Sequence, residues 1–94
     1  QTQLAEADFS GAELANSKFV GAKAYRTQFH KSQCKNADMR QLNLMEGSLY
    51  KAYLVGAKFD GANLYCVNFL DSTLGDNSYK GANLDQTILK DWRP

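Results

Sequence analysis

The side chains that could do chemistry in this chain are few, and their spacing serves no reaction. Its single histidine, His30, directly follows Phe29, and a general base also needs a placed substrate and usually an orienting partner. No Cys/His group has zinc-like spacing, since Cys34 falls at an inward position and Cys66 at a corner. Asp8, Glu13 and Asp38 each stand immediately before a large apolar residue, a place for a polar, outward side chain. Gly11, Gly21, Gly56, Gly61 and Gly81 recur at one place in a five-residue unit. They read as tight corners that need a permissive backbone, and no Walker or dinucleotide fingerprint accompanies them. The expectation is a chain that is not an enzyme, with no catalytic residue, cofactor or metal.

What positions these residues is a period. Every fifth residue from Leu4 to Leu89 is an uncharged core candidate, 18 consecutive positions without an insertion. Two places before each stands a mostly small residue, as at Ala7, Ala12, Ser17, Ala22, Ala37, Ala52, Ala57, Ala62, Ser72 and Ala82. A helix repeats its face at 3.6 residues and a strand at 2.0, so neither explains the pattern. An internal repeat takes precedence over local propensity. If each unit is one side of a square turn, four units close a coil, and coils stack at the about 4.8 Å spacing of paired strands. Leu4, Ala24, Leu44, Leu64 and Leu84 then form one internal column, and Phe9, Phe29, Leu49, Phe69 and Leu89 the next. Asp60, Asp71 and Asp76 fall on different sides of that square.

At this point the chain resembles the pentapeptide repeat family, whose loose signature is A-(D/N)-L-x-x. The matching segments are "ANLYC" at 62–66, "ANLDQ" at 82–86, "ADFSG" at 7–11, "AKFDG" at 57–61 and "ADMRQ" at 37–41. The resemblance implies an all-β fold, a right-handed quadrilateral β-helix of about four and a half coils, over residues 1–91, with 92–94 as a cap or tail. Four positions depart from the pattern: Ala24 where a large residue is expected, and Leu42, Val67 and Asn77 where a small one is. Local distortion is expected there.

Composition bounds the partners. The 94 residues carry 11 basic and 10 acidic side chains, a net +1, far from a nucleic-acid mimic or a strong polyanion binder. Two cysteines are too few for a disulfide scaffold and suggest free thiols in a reducing compartment. No run approaches the about 18 apolar residues of a membrane span, and no signal peptide is visible. Lys18, Lys23, Arg26, Lys31, Lys35 and Arg40 look basic when read linearly, but coiling spreads them around the circumference, which weakens a groove for nucleic acid.

Function, if local, belongs to the outer faces. The residue after each core position points outward, which stacks Tyr25, Met45 and Tyr65 in one column and His30, Tyr50 and Leu70 in the next. Tyrosine and methionine are enriched at protein interfaces, although aromatic residues also favour flat β surfaces. Tyr25, Met45, Tyr50, Tyr65 and Leu70 are therefore the protein-binding candidates, joined by Trp92 as a cap on the last coil or a contact with another copy. The family resemblance implies a rigid protein-binding or scaffold module, in the cytoplasm of a bacterium or attached to a secreted effector or secretion-associated protein. The abrupt start fits the C-terminal domain of a longer chain, and a homodimer through the coil ends is one arrangement open to it. The alternative is a DNA-mimicking inhibitor of a type II topoisomerase, which needs a strongly negative surface, since a duplex carries about one charge per 1.7 Å.

Overall fold

A computed structural model describes residues 3–91; Trp92 lies outside the described residues. The chain winds as a four-sided coil. Parallel bridges join Gln3 to Lys23, Asp8 to Gln28, Glu13 to Gln33 and Lys18 to Asp38, and the same step of twenty residues continues to Asn63 with Asn83. Each side of the square contributes a single bridged residue rather than a long strand. The prism measures 29 × 22 × 20 Å. No helix occurs among the described residues.

In its fullest copies the five-residue unit satisfies every backbone N–H it contains. In residues 62–66, Ala62 N–H closes a turn on Phe59 (2.9 Å), Asn63 N–H reaches Leu42 in the coil before (2.9 Å), and Leu64 and Cys66 N–H reach Asn83 and Asp85 in the coil after (2.9 and 3.1 Å). The remaining donor, Tyr65 N–H, is taken by the side chain of Asn63 at 3.2 Å. Hence the acid or amide before the core residue: its oxygen accepts the N–H two places on, which no ladder carbonyl faces. Asp8, Asp38, Asn43, Asn68 and Asn83 do the same.

Each corner needs one residue at positive φ, the third position of a type II turn. The five expected glycines stand there, with φ between 70 and 78°, but so do twelve other residues, from Glu6 to Gln86. An L-residue in that region costs about 1–2 kcal/mol. Each unit's three ladder bonds and one turn bond, worth about 1 kcal/mol apiece, outweigh that cost.

The inward columns form the core. Ala24, Phe29, Cys34, Met39, Leu44, Leu49, Leu54, Phe59 and Leu64 are fully buried. Aromatic rings gather in two trios: Phe9 stacks on Phe29 at 5.3 Å with Phe19 edge-on, and Phe59 stacks on Tyr79 at 5.3 Å with Phe69 edge-on. Burial pushes the Tyr79 phenol up to about 12 and raises the Cys34 thiol, less a lowering by its hydrogen bond with Ser32.

Of the four irregular positions, only one distorts the backbone. Ala24 and Leu42 are both fully buried, one coil apart on the same side, a small residue in a large place and a large one in a small place. The turns at Ala24–Thr27, Met39–Leu42 and Leu64–Val67 still close, at 3.0, 3.2 and 3.0 Å. Val67 and Thr27 flank Gly47 in their column, and a Cβ on Gly47 would stand 2.6 Å from Leu44 Cδ1. At Leu74–Asn77 the corner opens into a bend. There the Asn77 amide donates to Leu54 O (2.8 Å) and Ala57 O (2.7 Å), while its Oδ1 accepts Gly75 N–H (2.9 Å). The side chain takes the place of a ladder donor, since in the regular register Ala57 O would accept Ser78 N–H.

Candidate protein interface

The candidate residues sit where the chain turns outward, immediately after a core residue. Their N–H groups are pinned by the side chain two places before: Met45 by Asn43 (3.3 Å), Tyr50 by Ser48 (3.2 Å), Tyr65 by Asn63 (3.2 Å) and Leu70 by Asn68 (2.9 Å). Their carbonyls accept from the coil before, Arg26 to Met45, Glu46 to Tyr65, Lys31 to Tyr50 and Lys51 to Leu70. Tyr25, Met45 and Tyr65 are thus stacked on one corner of the prism, and His30, Tyr50 and Leu70 on the adjacent one. Between the two ridges runs one side, carrying Gln28, Ser48 and Asn68.

The ridges are less open than the sequence suggests. Tyr25, Met45, Tyr50 and Tyr65 are half-buried, and only Leu70 is fully exposed, at 53%. His30 packs edge-on against Tyr50 at 5.7 Å. Arg26 lies over the Tyr25 ring at 5.3 Å and Lys51 over Tyr50 at 5.4 Å, the attraction of a cation for a ring face. Arg26 also joins Glu6 (3.1 Å) and Glu46 (3.6 Å), so a ladder of ion pairs runs beside the first ridge. The ion pairs join long side chains twenty residues apart, and the column Glu6, Arg26 and Glu46 would have revealed them in the sequence. The Tyr65 hydroxyl is held above the usual phenol range, first by the neighbouring Cys66 side chain, with smaller contributions from Glu46 and Asp85.

The other chemically able groups are kept apart. Cys34 is buried and Cys66 exposed, both free. Asp38 is bound by Arg40 at 2.8 and 2.7 Å, which holds its carboxyl below the usual carboxylate range. Asp60 accepts from Ser78 at 3.1 Å beside a shallow cleft of about 300 Å³ lined by Val20, Arg40, Gln41 and Gly61. No group of metal-binding side chains converges among the described residues, and they hold no helix long and apolar enough to cross a membrane. Arg26, Lys31, Lys35 and Arg40 occupy the four corners of one coil, so the linear basic run is spread around the prism.

The fold and the repeat have known counterparts. The family model for pentapeptide repeats matches in 8 copies, over residues 7–44, 43–76 and 52–91. No curated protein matches the chain. Among solved structures, the pentapeptide repeat protein Rfr23 from the cyanobacterium Cyanothece 51142 aligns over 92% of this chain and 59% of its own, at 25% identity and a TM-score of 0.88. A pentapeptide repeat protein from the Arabidopsis thaliana thylakoid lumen aligns over 98% of this chain and 61% of its own, at 23% identity and a TM-score of 0.65. The chain therefore spans about three fifths of the length of each of these relatives. A five-residue period, a twenty-residue ladder and a family match across nearly the whole sequence agree: the chain belongs to the pentapeptide repeat family.

Proposed function

We propose that this chain is a non-enzymatic, rigid protein-binding module of about four and a half coils, part of a longer protein. The observation that carries the reading is the pair of ridges, Tyr25–Met45–Tyr65 and His30–Tyr50–Leu70, on adjacent corners across three successive coils. A partner that displaces Lys51 and Arg26 from the rings would gain broad, rigid aromatic surface at little cost in side-chain ordering. The greater length of the two solved relatives supports a module within a larger chain, and the two free thiols suit a reducing cytoplasm. Mimicry of DNA has less support: the net charge is +1, and all four corners of one coil carry a cation.

The test compares the intact domain with the Tyr50→Ser, Tyr65→Ser double variant as bait in a bacterial lysate, after circular dichroism has verified that the variant is folded. Tyr53→Ser, on the next side of the prism, serves as a control. A protein retained by the intact domain and the control but lost with the double variant supports the reading. Equal retention by all three removes the ridges from consideration.

A further inference from the structure

The ladder stops at a defined place, and its stopping leaves an edge. From Leu4 and Glu6 through Leu64 and Cys66, every core N–H and every corner N–H two places on donates to the following coil. The next donors, Phe69 N–H and Asp71 N–H, find no acceptor among the described residues, and Val67 C=O receives no ladder donor there. In the twenty-residue register their partners would be residues 88 and 90. Instead the chain turns over residues 85–91, held by Thr87 Oγ1 donating to Leu84 O (2.6 Å) and accepting Leu89 N–H (3.2 Å). Ile88, which would bridge to Asn68, stands 71% exposed. Between the edge and the turn lies a cleft of about 530 Å³, with Cys66 to Phe69 on one wall and Gln86 to Ile88 and Lys90 on the other.

We infer that the edge at Val67–Asp71 takes up an extended peptide segment of a partner protein as its next, parallel strand. Unpaired strand edges are templates for such addition, and the chemistry required of the occupant is specific. One residue supplies both an N–H to Val67 C=O and a C=O to Phe69 N–H, and the residue two places on supplies a C=O to Asp71 N–H. Leu70, which stands one coil before the segment's third residue, selects an apolar or aromatic side chain there. The inward position is already occupied by Leu89, which packs against the core, so the segment's middle residue is small. This site shares Leu70 with the second ridge but none of the tyrosines, so it stands or falls without Tyr50 and Tyr65.

Cys66, exposed on the cleft wall while Cys34 is buried, offers an anchor for the test. The probe is the tetrapeptide acetyl-Ala-Asn-Ala-Tyr extended by a flexible linker to a cysteine, supplied as its cysteamine disulfide and exchanged onto Cys66 of the intact chain. A second probe is identical but N-methylated at asparagine, the residue whose N–H would meet Val67 C=O. In the untethered protein, Phe69 and Asp71 amides should exchange hydrogen faster than Leu49 and Lys51, their paired counterparts one coil before. The first probe should then slow both by at least about tenfold, and the methylated probe should not. Three results overturn the proposal: protection of both amides in the free chain, protection that grows with protein concentration and so marks a second copy on the edge, or equal protection by the two probes.

Discussion

The two aromatic trios make the same arrangement in different surroundings. Phe9–Phe29 and Phe59–Tyr79 are parallel pairs at the same 5.3 Å, each with a third ring edge-on. Yet Phe9 and Phe19 are only half-buried, whereas Phe59, Phe69 and Tyr79 are buried. Ring geometry is thus dictated by the repeat, which brings columns from opposite sides of the square into contact wherever phenylalanines coincide. Burial is dictated by what lies along the axis, and a ring in the first described coil has fewer neighbours than one deeper in the stack.

Truncating a ring from each trio gives the largest expected contrast. Phe59→Ala should cost about 3–5 kcal/mol, the range for a buried phenylalanine left as a cavity, and Phe9→Ala about half of that, read from the midpoints of urea unfolding. Equal losses would show that the half-buried ring is as tightly held as the buried one, and would break the comparison. The corners offer a second contrast. Gly56→Ala places a Cβ against Asn36 Oδ1 at φ 78°, while Gly11→Ala meets open space at φ 74°. The first should destabilise by about 2–3 kcal/mol and the second by about 1 kcal/mol, the cost of the left-handed backbone alone. A similar loss at both would mean that Asn36 swings aside without penalty.

A smaller effect follows from acid. The Asp38 carboxyl, between the two trios, is lowered first by its hydrogen bonds from Arg40. A depressed folded-state value stabilises above the unfolded-state pKa and is lost as pH falls through the folded one. Asp38→Asn should therefore make stability less sensitive to pH below about 4, by under about 1 kcal/mol given the exposure of the pair. An unchanged acid profile would show that Arg40 contributes nothing there. Finally, Lys31→Gly, at φ 59°, should gain a few tenths of a kcal/mol, about what relief of the left-handed backbone leaves after the extra freedom of glycine in the unfolded chain.

The regular part of the fold was legible because one number, five, fixes both the inward columns and the corners. Leu4, Leu44 and Leu64 fall into line by counting alone. The twelve non-glycine corners were not legible, since Glu6, Lys51 or Gln86 carries no mark of a left-handed backbone; the ladder overrides a cost too small to force glycine. Asn77 departs visibly from the repeat, but that its amide replaces a backbone donor depends on carbonyls in the preceding coil. The ridges could be placed from the register, while the cations over Tyr25 and Tyr50 could not, because long side chains choose their rotamers after the coils are stacked. The edge at Val67–Asp71 was hidden for another reason: Leu89 keeps the five-residue count although the backbone has already left the ladder.

The bonds between coils run along the axis of the prism, and apart from the turn bonds to its sequence neighbours each unit is tied only to the units twenty residues before and after it. Tension applied through the two chain ends would consequently load a few of these bonds at a time, at the outermost coil, instead of all of them in parallel. The prism should yield by unwinding from its ends in small successive steps, so the stiffness it offers against sideways bending would not protect it from being pulled open lengthwise.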